Sequence, residues 1–436
     1  VYATTHAVFG FNPVWYHLLN ILAHVGAASA IFYFFRKFLA TTESPFSARN
    51  HASEAQRVST AKWGEGGALF IALFFLVHPV QTEAISYVSG LSDPIYVLFG
   101  FLTLIYFPRP RSLIFFILAL LSKETALVFL PLLILFNLTA LKRIILFVVV
   151  TAGYLWYHFS VINKFDITAA WGNSPYGHSV IVRLLTFIQS FPTYLGLLVA
   201  PIQLFMERDY STMVQTNILN PSLLIFLLAN AAIIYFLYQR RSRLLTILFL
   251  AFYLAFIPYT GIVLINGLFY EHFLYLPLVF FFAFILISSR IERSRLLRYC
   301  FIALLLLFAA RNLARQYDWI NAIRFYSQTL VHAPQSIRII NGLGMAYADQ
   351  GNATAAIQTY QQGIGVNPKI PNLYHNLANA YLAEGATESA EINYLKAIEV
   401  DPNFTYSWQA LAALYQQTGQ NDKLKQLVAS YQNRSR

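Results

Sequence analysis

The chain has 436 residues, of which 57% are hydrophobic, 17% aromatic and only 11% charged. Soluble globular domains carry about 25% charged residues, so this balance excludes an ordinary water-soluble enzyme and calls for lipid as solvent. Nor is the net charge of +11 a nucleic-acid footprint: residues 316–436 hold eight Lys and Arg against eight Asp and Glu, so all of the excess lies in residues 1–315, in short loops between apolar runs, where it orients a membrane protein.

One cysteine, Cys300, rules out an internal disulfide and a cysteine-based metal site. No His, Asp and Glu spacing makes a metal site, and no Gly-rich phosphate loop or Ser-His-Asp pattern is present. The chain opens on Val1 with no signal peptide, which reads as a piece of a longer protein whose start is missing.

In chain order, residues 14–38 are the first predicted span, with Trp15-Tyr16-His17 at one interface and Arg36-Lys37 at the other. Residues 40–65, with Arg49, Arg57 and Lys62, read as a cytoplasmic loop; 68–79 with its flanks goes out, and 94–107 returns to Arg109 and Arg111. Runs 113–121 and 126–138 are each shorter than the about 20 residues that a span needs. They form either one helix interrupted at Lys123-Glu124 or a hairpin with that pair at its outer tip. The hairpin keeps both Arg111 and Lys142-Arg143 inside and is preferred.

Residues 144–161 go out into a long stretch, 162–219. Within it the apolar run 184–200 must dip into the membrane or lie along it, so that Arg240, Arg241 and Arg243 after the span 223–238 stay inside; Pro192 permits a bend. Residues 244–258 go out, 269–287 come in to Arg290 and Arg293, and 297–310 go out. That makes about ten membrane segments within residues 1–315 and leaves 316–436 on the extracytoplasmic side of a multi-pass membrane protein, the cell membrane in a bacterium.

Several ionisable residues stand at apolar helix ends on that outer side. The stretch His78-Pro79-Val80-Gln81-Thr82-Glu83-Ala84 is followed by Gly90-Leu91-Ser92-Asp93 and then by Ser122-Lys123-Glu124-Thr125. An ionisable group at a bilayer centre costs about 2.5–3.5 kcal/mol, so charges clustered near a helical bundle mark a working site. Singly, each is equally a polar helix end wetted by headgroups.

Residues 316–436 repeat with a period of 34: Leu343, Leu377 and Leu411 align, as do Tyr347, Tyr381 and Tyr415, and Gly351, Gly385 and Gly419. Ala356 matches Ala390, Tyr360 matches Tyr394, Pro368 matches Pro402, and the register extends back to Ala322, Tyr326 and Pro334. These are tetratricopeptide repeats, a half repeat and about three full ones, whose small residues let helices pack closely. The concave face of such a solenoid binds extended peptides or partner surfaces, although a spacer without ligand has the same pattern.

The order of motifs resembles one family. Tyr16-His17-Leu18-Leu19-Asn20 with His24, then residues 78–84, then Ser122-Lys123-Glu124-Thr125, Asp209-Tyr210-Ser211, Glu271-His272 with Tyr275-Leu276-Pro277, and Arg311-Asn312 with Trp319 resemble the transmembrane-and-tetratricopeptide-repeat O-mannosyltransferases and their bacterial relatives. The resemblance covers nearly the whole chain. It implies a GT-C fold, here an all-α polytopic membrane bundle (residues 1–315) followed by the repeat solenoid (316–436). It also implies a polyprenyl-phosphate-linked sugar as donor, with catalysis at the outer face. Such enzymes usually place a catalytic aspartate in a first external loop, which would lie ahead of residue 14. Gln81 stands where relatives usually carry a second histidine, and Leu91 where they usually carry a basic residue.

Sugar transfer from a lipid phosphate needs a base for the acceptor hydroxyl and cations for the leaving phosphate. On the resemblance, the catalytic candidates are Glu83, Asp93, Glu124, Glu271 and His272, and the donor-phosphate candidates are Lys123, Arg208 and Asp209. Lys123 is expected to meet the phosphate with Glu83 and Glu124 orienting it, or else simply to pair with Glu124. Arg208 either binds phosphate or forms a solvated loop pair with Asp209. His78 either takes part or hydrogen-bonds a carbonyl freed by Pro79. No cofactor is expected beyond the donor lipid, and a protein or peptide acceptor is expected on the repeats. A non-catalytic membrane scaffold that recruits partners through its repeats is the alternative, and a lipid or sugar transporter, disfavoured by the absence of internal duplication among the spans, is a third.

Overall fold

A computed structural model describes residues 10, 12–42, 54–162, 174–205, 207–208, 214, 216–217, 221–265, 267–289 and 294–434. They fall into two compact units, one within Val1–Met206 and Ser211–Tyr317, the other within Glu207–Tyr210 and Asp318–Arg436. Both are helical, with no strand among the described residues.

The first unit is built from α1 (Pro13–Thr42), α2 (Glu54–Val77), α3 (Thr82–Ser86), α4 (Ser92–Tyr106), α5 (Arg111–Ser122), α6 (Phe129–Phe136), α7 (Leu141–Tyr157), α8 (Val180–Val199), α9 (Pro221–Arg240), α10 (Arg243–Phe256), α11 (Pro277–Ser288) and α12 (Arg295–Ile320). Among the described residues, five helices are long and apolar enough to cross a membrane: Pro13–Ala40, Leu138–Val161, Val180–Val199, Pro221–Arg240 and Arg295–Ile320. Several present almost all of their surface outward: only 6% of the most apolar window of α9 and of α12 is buried. Apolar surface of that extent is stable only against lipid, because a water-soluble monomer keeps exposed apolar patches small.

Elsewhere spans are broken or short, for local reasons. The expected second span bends by 49° between Glu65–Val77 and Pro79–Ser86. The break is at His78, which is extended (φ −65°, ψ 129°) because a following proline disfavours the helical region. Helix α5 likewise ends at Lys123, extended at φ −159° and ψ 138°, so residues 111–136 are two short helices rather than one interrupted helix. The expected span 269–287 is helical only from Pro277. Before it, Glu271–Leu274 is a single tight turn, and the proline starts the helix where its missing N–H costs nothing. Helix α8 runs unbroken through Pro192 for 20 residues, with the length and apolar composition of a membrane helix.

In a bilayer little hydrophobic force acts between helices, so packing relies on close contact. Helix α1 lies along α2 and α4, α4 along α5, and α10 along α11. A ring cluster from α1, α4, α6 and α11 joins them: Phe34–Phe101, Phe34–Phe136, Phe101–Phe129 and Phe136–Phe280 have centroids 5.1–6.2 Å apart. Each such pair contributes about 0.5–1.5 kcal/mol beyond area burial. Gly100 opens the space for this, since a Cβ there would sit 2.0 Å from the Phe129 ring.

The second unit contains seven further helices: α13 (Ala322–His332), α14 (Ile337–Asp349), α15 (Ala353–Val366), α16 (Pro371–Ala383), α17 (Thr387–Val400), α18 (Thr405–Gln417) and α19 (Asn421–Arg434). Consecutive helices pack on one another along the series. Gly351, Gly385 and Gly419, at φ +76°, +79° and +69°, end the first helix of each pair in the left-handed conformation that glycine adopts without penalty. The repeated small residues do what their spacing implies: the Tyr360 ring lies against Gly344, where a Cβ would come within 2.4 Å.

Candidate functional site

The broken segment between α2 and α4 organises one end of the first unit. Residues 79–85 are all buried, and polar side chains from distant helices hold them. From α1, Asn20 donates to the carbonyls of Ile85 and Tyr87, at 2.9 and 3.2 Å. From α12, Asn312 donates to Val77 O at 3.3 Å and accepts from Thr82 Oγ1 at 3.4 Å, while Gln316 accepts from Ser86 Oγ at 3.1 Å. The bonds to the Val77, Ile85 and Tyr87 carbonyls serve backbone at the helix breaks, where an unsatisfied group is costly at membrane depth, and the two side-chain bonds tie the segment to α12.

Two histidines complete the frame. His78 Nε2 donates to Leu198 O at 3.1 Å, so its Nδ1 is free to accept from Val80 N–H at 3.3 Å. His24 Nε2 donates to Leu76 O at 3.1 Å, and its Nδ1 accepts from Tyr275 Oη at 2.6 Å. Each ring thus has one fixed tautomer with both nitrogens engaged. For His78 this is the carbonyl-capping role.

Within that frame stand two carboxylates, each with a basic partner. Glu83, only 4% exposed, accepts the His272 backbone N–H on Oε2 and the His272 ring Nδ1 on Oε1, both at 3.0 Å. With Nδ1–H held by the carboxylate, Nε2 carries the ring's lone pair. The His272 side chain is 21% exposed, and Tyr270 stacks on it at 5.1 Å. Asp93, in the first turn of α4, accepts from Lys123 Nζ at 2.6 Å. Its position suits the positive end of the helix dipole. Lys123 is 18% exposed and Asp93 4%, so the pair is charge-assisted and largely shielded.

Tyrosines connect the pairs. Tyr96 and Tyr259 lie within the field of Asp93, and Tyr259 within that of Lys123. Tyr259 stacks at 4.1 Å on Phe273, the neighbour of His272. Tyr275, three residues after His272, also lies in the field of Asp93 and hydrogen-bonds His24; its carbonyl accepts from Gln81 Nε2 at 3.4 Å. The loop carrying Tyr259 and His272 is pinned by Arg183, whose Nε donates to Gly261 O at 2.5 Å and whose Nη1 donates to Tyr176 O at 3.1 Å. Gly261 has φ +79°, and a Cβ there would sit 2.6 Å from Arg183 Cβ, so only glycine fits.

Of the residues singled out in the sequence, the structure therefore couples Glu83 to His272 and Asp93 to Lys123. Glu271 is 1% exposed and adjoins His272. Glu124 is exposed, and the acid bonded to Lys123 is Asp93 rather than Glu83 or Glu124. Arg208 falls in the second unit, where the neighbouring Glu207 accepts from Arg338 Nε at 2.8 Å; Asp209 lies outside the described residues. Gln81 and Leu91, the two departures from the family pattern, are both buried, at 0% and 1% exposure. Tyr96 and Tyr259 gave no sequence signal, since Tyr and Phe are spread throughout the chain; Arg183 belonged to none of the motifs, and Tyr275 and His24 were visible only as parts of them.

Family models described as TPR repeat and tetratricopeptide repeat match residues 344–385, 371–404 and 393–426. A Caenorhabditis elegans protein, "Protein O-mannosyl-transferase F38B6.6", is 26% identical over 368 residues, 78% of this chain and 49% of that protein. The human "Protein O-mannosyl-transferase TMTC4" is 33% identical over 94 residues, 22% of this chain and 11% of that protein. The chain thus aligns with about half the length of the first of these relatives and far less of the second. It is a distant relative of protein O-mannosyl-transferases with C-terminal tetratricopeptide repeats.

Proposed function

We propose that the protein is a membrane glycosyltransferase that moves a mannose-like sugar from a polyprenyl-phosphate donor to a hydroxyl of a protein acceptor. The observation that carries this reading is the juxtaposition of a carboxylate-oriented imidazole, Glu83–His272, with a carboxylate-held ammonium, Asp93–Lys123, at one end of an apolar bundle. His272 Nε2 takes the proton of the acceptor hydroxyl as the new glycosidic C–O bond forms. The bond from C1 to phosphate oxygen breaks, and the phosphate leaves with the electron pair. Lys123 meets the charge that develops there, with Asp93 holding it in place. Glu83 is a positioning residue that fixes the His272 tautomer. The repeat unit presents the acceptor, with both the repeats and the site on the extracytoplasmic side.

The test is sugar transfer from polyprenyl-phosphate mannose to peptide by the purified protein in nanodiscs. His272→Ala is expected to lower kcat by about 10²–10⁴-fold, the usual contribution of a general base. Lys123→Met combined with Asp93→Asn is expected to act mainly on donor use. Full activity in both variants removes the site assignment. Peptide capture by the repeats without any transfer by the unmodified protein would establish the scaffold reading instead.

A further inference from the structure

At the other end of α1 and α4 lies a cavity of about 780 Å³ with no part in this chemistry. Gly26, Ser29, Ala30, Tyr33, Arg36, Lys37 and Ala40 of α1 line one wall, following the three- and four-residue steps that mark a single helix face. Leu98, Leu102, Ile105 and Tyr106 of α4 form the other wall, and Glu65 of α2 closes the mouth. The volume falls within the about 300–1,000 Å³ of ordinary ligand sites. From Gly26 to Lys37 the groove descends about 17 Å at about 1.5 Å per residue, close to the about 15 Å of one leaflet of hydrocarbon.

The two ends of the groove differ in chemistry. Along its depth it is apolar, floored by small residues that keep it open. At its mouth stand Arg36 and Lys37, and Arg111 lies 3.8 Å over the Tyr106 ring. Among the described residues, the mouth sets one acid against these cations, Glu65, bonded to Arg36 at 2.8 Å with both side chains half exposed or more. Lys37 Nζ donates to Ile105 O at 2.8 Å, which holds the ammonium at the rim rather than in bulk water. Tyr33 and Tyr106 supply the amphipathic rings typical of a headgroup layer.

We propose that this groove binds an anionic glycerophospholipid, one acyl chain along α1 and α4 and the phosphate headgroup at Arg36, Lys37 and Arg111. The net positive mouth selects a phosphate headgroup with no compensating cation, and the leaflet-length depth selects an acyl tail over a longer polyprenyl chain. This site is separate from the Asp93 end of α4, and it stands whether or not the transferase reading does.

The experiment is native mass spectrometry of the whole chain released from nanodiscs containing equal phosphatidylglycerol and phosphatidylcholine with identical acyl chains. The unmodified protein is expected to retain one phosphatidylglycerol in preference. Arg36→Gln is expected to reduce that preference about fivefold, and the Arg36→Gln/Lys37→Gln pair about 25-fold, since each cation near a headgroup contributes about a fivefold factor. Ser29 is exposed on the groove wall, so Ser29→Trp fills the groove without touching the core and is expected to abolish retention of either lipid. Equal retention of the two lipids by the unmodified protein overturns the proposal. So does displacement by inorganic phosphate, which needs no groove, or preferential retention of added polyprenyl phosphate. If Ser29→Trp fails to fold, the two surface variants at the mouth decide alone.

Discussion

The two units of this chain use polar residues in opposite ways. In the repeat unit, polar contacts join neighbours along the solenoid: Asn376 donates to Asn341 Oδ1 at 2.8 Å across adjacent repeats, and Lys423 reaches Glu391 at 2.7 Å across 32 residues. In the membrane unit they join distant elements. Glu83 meets His272 across 189 residues and Asn20 meets Ile85 across 65. A solenoid distributes its stability over similar interfaces, whereas the bundle concentrates charge and hydrogen bonding at one end. Damage should therefore be local and modest in the first case, and severe in the second.

The largest effect is expected from Lys123→Ala. It strands the Asp93 carboxylate, 4% exposed, without its partner, and breaking such a buried pair from one side costs about 3–5 kcal/mol. Thermal unfolding in detergent should show a large loss that the double change Asp93→Asn/Lys123→Met largely restores, while transfer stays low in both. Restored transfer in the double variant would make the pair structural, and the contrast between the units would lose its functional side. Next comes Glu83→Gln, which keeps the shape but loses the charge-assisted bond to His272, a contribution of about 1.5–3 kcal/mol. A fall in kcat of about 10–150-fold with KM for the donor unchanged is expected; a change in KM alone would assign Glu83 to binding rather than to positioning His272.

The same contrast explains what could be read in the sequence. The repeats were legible down to single residues, because a period of 34 imposes each role several times; Gly344 under Tyr360 and the three glycines after α14, α16 and α18 stand where alignment puts them. The membrane helices were legible as apolar runs. Their irregularities were less so: the late start of α11 depends on Pro277 and on the packing of residues 270–274, which hydropathy does not register. Glu83, Asp93, Lys123 and His272 were each conspicuous as rare charges at apolar ends. Their pairing was not, since nothing near Lys123 in sequence distinguishes Asp93 from the adjoining Glu124. Asp93 is reached because α4 and α5 pack side by side, a fact of tertiary structure alone.

An intermediate effect is expected inside the solenoid from Gly344→Val. Its Cβ alone would come within 2.4 Å of Tyr360, and overpacking of this kind costs about 1–3 kcal/mol. Hydrogen exchange should show faster opening of α14 and α15, with α18 and α19 little changed, because each repeat interacts only with its neighbours. Uniform destabilisation from α13 to α19 would mean that the unit unfolds as one body.

The smallest effect is a pH dependence confined to the repeats. Burial lowers the pKa of His375 from its ordinary 6.5, so below about pH 6.5 the unfolded chain gains a proton there that the folded one does not. Stability conferred by the neutral ring is full above that pH and declines below it. Glu391 is raised by burial, but hydrogen bonds from Lys423 and Tyr415 outweigh this and hold the carboxyl below its ordinary 4.5. Its contribution is complete above about pH 4.5 and is lost as the pH falls through the depressed value. With Lys423 half exposed, the ion pair contributes under about 1 kcal/mol. Hydrogen exchange of α16–α19 as a function of pH should therefore show protection falling in two steps, first below about 6.5 and then below about 4.5. His375→Gln should remove the first step and leave the second; Lys423→Met should weaken the second alone. If both steps persist in both variants, the acid sensitivity belongs to other groups, and the polar contacts between repeats are less independent than the solenoid implies.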